Sequence, residues 1–301
     1  MTTPPRAVDV AGIDHIGLTV ASLAHGIEEL SSILDGGLCY LEGPITQASG
    51  GWMERKLGVP GDSRLQVAAM SVMGQNLELF EYRQVDDRLT RPKAGTPGSF
   101  HIHVRTPTPE HLIRRMAENG IVTTDTDGKD NHHDAQLNCG INLSLELASN
   151  TPQLFGAVHL EPCGHKTAIR DLVEVFGMRI IDQVDAFGNT GPLLRSPKGG
   201  AALAVLQSTL AHGPMPKNHQ VGGHHVAFHA NDVDGAVREL TQDGKYQAMG
   251  EPETITDGPI AGDRWVYVRS PFGLQLEIIN MPDGAMPYES DATYLRTPIH
   301  S

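Results

Sequence analysis

Hydrophobic and polar positions along the chain repeat one local pattern four times. Each copy begins with a short apolar run that carries a histidine, continues with a turn and an apolar stripe at helical spacing, and then gives further strand-like runs. The predicted first strands are residues 13–20, 100–104, 157–160 and 225–228. This regularity predicts four copies of one βαβββ unit, and therefore an α+β fold.

The predicted helices have recognisable boundaries. The first copy shows the spacing of one helical face at Leu23, Ile27, Leu30 and Leu34. Residue types that begin helices stand before two of the stripes, at Thr108 and Asp232. Glycine, which commonly ends helices, follows the four stripes at Gly36, Gly120, Gly177 and Gly244.

Each copy also contains a late strand that we expect beside its own first strand. These runs are residues 76–80, 142–147, 201–206 and 273–279. Three of them carry a glutamate at the equivalent place, Glu78, Glu146 and Glu277, whereas the third copy has Ala204 there. A polar, turn-prone run at residues 149–152 separates the second copy from the third. The predicted halves are residues 1–150, with modules 1 and 2, and residues 151–301, with modules 3 and 4.

Composition and charge restrict the classes of partner. The chain has 301 residues and a formal net charge of -13, and we find no cluster of Lys and Arg that could neutralise a run of phosphates. Nucleic acid and anionic membranes are therefore unexpected partners, and a small-molecule substrate is expected, with a homodimer as an open alternative to a monomer. The N-terminal residues lack the apolar core of a signal peptide and the three cysteines are scattered, so we expect a cytoplasmic protein.

The histidines and glutamates are candidate metal ligands. One histidine in a strand is usually a hydrogen-bonded structural residue, but four at equivalent places with three equivalent glutamates are hard to explain by packing. A buried carboxylate is costly unless it is paired or bound to a cation. Imidazole and carboxylate together suit borderline divalent ions, so the set predicts Fe, Mn, Zn, Ni or Co. The run His132-His133-Asp134 lies in a polar stretch and is predicted to be a solvated loop.

Several segments resemble the vicinal oxygen chelate superfamily, which includes glyoxalase I, methylmalonyl-CoA epimerase, extradiol dioxygenases and bleomycin-resistance proteins. The matching segments are residues 13–18, 77–79, 223–228 and 267–277, of which the last, reading YVRSPFGLQLE, is the most specific. The resemblance implies that two βαβββ modules pair into one cup, with a metal ion on its floor. Four modules would therefore form two cups.

The resemblance leaves two ways of pairing the modules. Pairing in sequence order would give one cup with His15, Glu78, His101 and Glu146, and a second cup with His159, His225 and Glu277. Pairing the outer modules, as in some fused glyoxalases, would give His15, Glu78, His225 and Glu277, and would leave His101, Glu146 and His159 as an incomplete inner site. We favour the outer pairing, because the first and fourth modules look like the two halves of a common single-cup relative.

The chemistry of such a site follows from open positions on the ion. A metal that binds two vicinal oxygens of a substrate can polarise a carbonyl and stabilise an enolate, which predicts an isomerase, epimerase or lyase. The alternative is an extradiol dioxygenase with Fe(II) or Mn(II), although residues 198–201 lack the extra catalytic histidine that the resemblance would require. A non-catalytic ligand-sequestering protein is the third alternative. The candidate catalytic residues are Glu78, His229 and Tyr267.

Overall fold

A computed structural model describes residues 7–46, 50–125, 131–148, 152–210, 213, 215–282 and 284–299. Module 1 comprises β1 (Ile13–Thr19), α1 (Leu23–Leu34), β2 (Gly37–Thr46), β3 (Arg64–Val72) and β4 (Gln75–Arg83). Module 2 comprises β5 (Phe100–Thr106), α2 (Pro109–Glu118), β6 (Thr123–Asp125), β7 (His132–Gln136) and β8 (Asn142–Leu147).

The second half of the chain repeats this order with one variation. Module 3 comprises β9 (Gln153–Leu160), α3 (Pro162–Glu174), β10 (Arg179–Ala186), β11 (Asn189–Ser196) and β12 (Gly199–Gln207). Module 4 comprises β13 (His224–His229), α4 (Val233–Thr241), β14 (Gln247–Ala248), β15 (Glu253–Thr254), β16 (Arg264–Arg269) and β17 (Gln275–Asn280). The second strand of module 4 is split, because β14 and β15 both pair with β16.

The helix boundaries follow from the local sequence. The Asp232 side chain accepts a hydrogen bond from the backbone N–H of Gly235 at 2.9 Å, as expected of a capping residue. Gly120, Gly177 and Gly244 have positive φ, which confirms the predicted helix ends. In module 1 the left-handed residue is Asp35, one position before the predicted glycine. None of the described helices is long and apolar enough to cross a membrane.

Strand pairing joins the outer modules to each other and the inner modules to each other. In every module the first strand runs parallel to the last strand, as β1 does to β4 and β13 does to β17. Antiparallel pairing of β1 with β13 joins modules 1 and 4 into an outer cup, and pairing of β5 with β9 joins modules 2 and 3 into an inner cup. The α+β fold of four βαβββ modules in two paired-module cups is thereby confirmed.

One sequence prediction is wrong, and a second falls on residues that the structure does not describe. The run His132-His133-Asp134 belongs to β7 and is not a solvated loop: it pairs with β8, and the Asp134 side chain is buried. The polar composition of this run led to the wrong prediction. The strand forms because β7 pairs on both sides, with β6 and with β8. Residues 149–151, at the predicted boundary, lie outside the described residues, so the division at residue 150 stays a prediction.

Candidate metal centre

The floor of the outer cup is built from four neighbouring strands. Side chains on one face of a strand alternate with those on the other, so the register of neighbouring strands decides which of them meet. His15 on β1 lies opposite Ala227 on β13, and Gly17 lies opposite His225. On the outer sides, Gly17 pairs with Glu78 of β4, and Ala227 pairs with Glu277 of β17. The two histidines and two glutamates therefore converge on one point.

The polar atoms of these four side chains are close together. His15 Nε2 lies 3.1 Å from His225 Nε2 and 3.4 Å from Glu78 Oε2. Glu277 Oε2 lies 3.1 Å from the Nε2 atom of each histidine. All four residues are buried. One atom each from His15, Glu78 and His225 lie within 4.8 Å of one another, as a metal-binding group requires.

These spacings match the donor atoms around a divalent ion. Bonds of about 2.0–2.2 Å place adjacent donors about 3 Å apart in an octahedron and about 3.4 Å apart in a tetrahedron. Although Glu277 Oε2 is close to two imidazole nitrogens, it is a buried atom with no aligned hydrogen-bond donor. Its neighbours are thus near enough to share a cation with it, but are not arranged to satisfy it themselves. The residues fit a divalent ion.

Hydrogen bonds orient two of the candidate ligands. Asp14 Oδ1 lies 2.9 Å from His15 Nδ1, so the second nitrogen of this imidazole faces a carboxylate. The pairing register shifts between Ile13 and His15, and this irregularity in β1 accompanies the close approach of consecutive side chains. On the other side, the Tyr40 hydroxyl donates to Glu78 Oε1 at 2.7 Å.

The electric field at the centre favours positive charge. Burial alone would lower the pKa of His15, but the carboxylates of Glu78 and Glu277 outweigh burial and raise that pKa to about 9. Burial would raise the pKa of Glu277, but His15 and His225 hold it at about 2. Asp263 contributes a further carboxyl group: it is 2% exposed, and burial followed by Glu277 raises its pKa well above the ordinary value. A cation would relieve this concentration of carboxyl groups.

Aromatic rings form the wall of the cup beside His225. The ring centroid of Tyr267 lies 4.9 Å from that of His225, and that of Phe80 lies 5.2 Å away. A narrow gap lined by these rings and by Thr19 reaches His225. Asn218 and His224 line both this gap and a neighbouring cavity of about 270 Å³.

The remaining predicted residues lie elsewhere. His229 is buried on the same face of β13 as His225, four residues further along the strand. In the inner cup, His159 Nε2 lies 3.1 Å from His101 Nδ1. Glu146 turns away from that pair, with Oε2 3.0 Å from His103 Nε2 and 2.7 Å from Arg105 Nε. The structure therefore brings the outer four together and divides the inner three into two groups.

Sequence reasoning did not identify Asp14, Tyr40 or Asp263. Asp14 had a signal, since an acidic residue stands directly before a candidate histidine ligand. No local pattern in the sequence indicates Tyr40 or Asp263. Tyr40 contacts Glu78 from β2, and Asp263 lies in the loop before β16, so only the folded chain brings them to the site.

Known proteins share part of this sequence and most of this fold. A model of the Glyoxalase/Bleomycin resistance protein/Dioxygenase superfamily matches residues 167–278. Glyoxalase I from Zea mays has a similar structure, with a TM-score of 0.64 and 14% sequence identity over 89% of this chain and 92% of that one. A protein from Bacillus subtilis strain 168, named as a candidate dioxygenase, gives a TM-score of 0.62 and 16% identity over 97% of this chain and 93% of that one. The family match is confined to residues 167–278, and at these identities the structural likeness concerns the fold alone.

A relative with higher sequence identity matches part of the chain. A protein from Actinomyces sp, named 2-epi-5-epi-valiolone epimerase, is 56% identical over 75 residues. The match covers 25% of this chain and 40% of that protein, so it spans less than half of the relative's length.

Proposed function

We propose that the protein is a divalent-metal-dependent epimerase that acts on a small oxygenated ketone. The observation that carries this proposal is the convergence of two imidazoles and two carboxylates on the floor of the outer cup, where His15 Nε2 lies 3.1–3.4 Å from each of the other three groups. His15, Glu78, His225 and Glu277 would hold the ion. When bound, a divalent ion would polarise a substrate carbonyl and stabilise the negative charge that develops on its oxygen.

The two carboxylates are held differently, and this difference suggests their roles. Glu277 Oε2 lies 3.1 Å from both imidazoles, whereas Glu78 Oε2 lies 3.4 Å from one. The other oxygen of Glu78 accepts from the Tyr40 hydroxyl. Glu78 is therefore the better placed of the two to take a proton from the carbon beside a substrate carbonyl, while Glu277 stays as a ligand.

Two further residues have proposed roles. Tyr267 stands opposite Glu277 in the β16–β17 register and against the His225 ring, so its hydroxyl is the candidate contact to a substrate oxygen. His229, on the same face of β13 as His225, is the candidate second proton carrier. Inversion of a carbon centre needs proton removal on one face and return on the other, so two proton-carrying groups suit an epimerase.

The partial relative supports an epimerase and suggests the substrate class. The name valiolone denotes a ketone, and a proton beside a ketone carbonyl is acidic enough to be removed by a carboxylate when the oxygen is stabilised. We therefore propose a ketone of the valiolone type as substrate. Four protein ligands with two carboxylates differ from the two-histidine, one-carboxylate set of the alternative dioxygenase, so we favour proton transfer over ring cleavage.

The first test combines metal content with deuterium incorporation. Protein purified without chelator is analysed for metal, and then incubated with 2-epi-5-epi-valiolone in deuterated water while the product is followed by NMR. We expect a bound divalent metal, and inversion at one carbon with uptake of deuterium there. Inversion without deuterium would contradict the proton-transfer mechanism. Stoichiometric iron with oxygen uptake on catechols would instead favour the dioxygenase, and failure to bind metal after loading would favour a sequestering protein.

A further inference from the structure

Arg296 is a buried cation close to the metal centre. Its side chain is 4% exposed, and its Nη2 atom donates to Asp14 Oδ1, although the two residues are 282 positions apart in the sequence. Burial lowers the pKa of Arg296 to about 10, so the guanidinium stays charged at neutral pH. A buried charge of this kind is stable only with a partner, and Asp14 is that partner.

The same oxygen of Asp14 links Arg296 to a candidate ligand. Asp14 Oδ1 accepts from Arg296 and lies 2.9 Å from His15 Nδ1. When Nδ1 of a neutral imidazole donates to a carboxylate, Nε2 carries the lone pair. His15 Nε2 is the atom that faces His225 and the two glutamates. The chain Arg296–Asp14–His15 therefore orients His15, and it would set the tautomer of the neutral imidazole, which is the form that binds a metal ion.

The backbone beside Arg296 is fixed to module 1. Thr297 N–H donates to Asn76 Oδ1 at 2.7 Å, and Asn76 Nδ2 donates to Thr297 O at 2.9 Å. The same amide group donates to Asp14 O at 3.1 Å. Asn76 lies opposite His15 in the β1–β4 register, so it joins the late segment to the strand that carries the ligand.

The same late segment supports Glu78 from the other side. The ring centroids of Tyr288 and Tyr40 are 4.9 Å apart, and the Tyr40 hydroxyl donates to Glu78 Oε1. Tyr288 is tied in turn to the loop before β16, because its backbone N–H donates to Pro259 O at 3.0 Å. Two candidate ligands on different strands, His15 and Glu78, are thus oriented from residues 286–297.

We propose that residues 286–297 are a positioning element of the metal centre, in which Arg296 fixes His15 through Asp14. This inference rests on the proposed metal-dependent function. Arg296 is a positioning residue and not a ligand, since it acts on the nitrogen of His15 that points away from the cluster. Its loss would remove the guanidinium that holds Asp14 in place and so free His15 to rotate or change tautomer.

The test compares three variants by binding of Co²⁺, which reports affinity and ligand geometry in one titration. Replacement of a residue that orients a metal-bound histidine typically weakens metal binding about 10-fold to 100-fold. We expect a loss of this size and an altered visible absorption spectrum for Arg296→Gln, with partial recovery in Arg296→Lys. Arg115→Gln, which removes an ion pair with Asp35 on the surface, should bind Co²⁺ as the unaltered protein does.

A double variant covers the case in which Arg296→Gln does not fold. Asp14→Asn with Arg296→Gln removes both members of the buried ion pair and leaves no unpaired charge, and we expect the same loss of affinity. Unaltered affinity and spectrum in a folded Arg296→Gln, or in the double variant, would overturn the inference and leave the metal site intact. Failure of the unaltered protein to bind Co²⁺ would overturn the proposed function itself.

Discussion

Gly17 shows how one residue makes room for the candidate ligand His225. It stands opposite His225 in the β1–β13 pair, and a Cβ atom at this position would lie 1.9 Å from His225 Cε1. No pair of unbonded carbon atoms approaches so closely. The backbones of Gly17 and His225 are both held in paired strands, so they cannot easily move apart. The absence of a side chain at Gly17 is therefore a condition for the position of the His225 ring.

We predict that Gly17→Ala displaces the His225 imidazole and weakens metal binding. Overpacking of this kind costs about 1–3 kcal/mol, which corresponds to about 5-fold to 150-fold in an equilibrium constant. Co²⁺ titration measures the effect. Gly164→Ala is the matched control, because a Cβ there meets its first neighbour at 3.4 Å. Equal affinity in both variants would show that His225 moves freely and would contradict the argument.

The two candidate carboxylate ligands, Glu78 and Glu277, should respond differently to removal of charge. Glu277→Gln is expected to lower Co²⁺ affinity about 100-fold, because Glu277 contacts both imidazoles. Glu78→Gln should lower affinity less, about 10-fold, and lower kcat with saturating metal by at least about 100-fold, as expected on loss of a proton carrier. The reverse order of the two effects would exchange the roles proposed for these residues.

At the scale of elements, β8 illustrates how a difference in register removes a candidate ligand. Glu78 and Glu277 lie opposite the residue two positions after the histidine of their module, whereas Glu146 lies opposite Arg105, four positions after His101, so the predicted equivalence of Glu146 is wrong. His103 and Arg105 lie beside it instead. Arg105 supplies the positive charge that a metal ion would supply elsewhere, and it also donates to Asp182 of β10 at 2.6 Å. Burial would raise the pKa of Glu146, but His103 and Arg105 hold it at about 2.

This ion pair predicts a pH dependence of stability. The pKa of Glu146 falls from an ordinary value of 4.5 to about 2 in the folded protein. The stabilisation is therefore complete above pH 4.5, and is lost as the pH falls towards 2. Denaturant unfolding across this range should show a smaller acid-induced loss in Glu146→Gln than in the unaltered protein, with Glu28→Gln, on an exposed turn of α1, as control. If Glu146→Gln and the unaltered protein lost equal amounts of stability as the pH falls, the ion pair would be contradicted.

At the scale of the whole molecule, the outer and inner cups share a fold and differ in chemistry. The outer cup gathers four candidate ligands, whereas in the inner cup the predicted ligands His101 and His159 lie together without Glu146, and the ring of Phe187 is 5.0 Å from that of His101. Among the described residues, the one group with metal-ligand spacing is His15, Glu78 and His225. The homodimer expected as an alternative from the sequence stays a prediction.

We predict one metal ion per chain. Elemental analysis of protein loaded with excess metal and then desalted should give a ratio of about one, and His159→Ala should keep it, because a two-histidine pair without a carboxylate holds divalent ions weakly. His225→Ala should bind no stoichiometric metal. A ratio of two in the unaltered protein that falls to one in His159→Ala would establish a second site in the inner cup.

Local patterns in the sequence predicted most of the strands, the four helices and the residue types of the candidate ligands. Period-two and helical spacings depend on neighbouring residues alone, so β1, β13 and the four helices could be predicted, as could the histidines and glutamates at repeated places. Polar composition misled the prediction at His132-His133-Asp134, because strand formation there depends on pairing with β6 and β8.

Only the tertiary structure decided which modules pair. Both pairings satisfy the same local patterns, since every module presents a first strand of the same kind. The choice depends on the β1–β13 and β5–β9 contacts between segments far apart in the chain. For the same reason Arg296 could not be predicted from the sequence: its partner Asp14 lies 282 positions away, and no periodicity links residues whose contact exists only after the cup has closed.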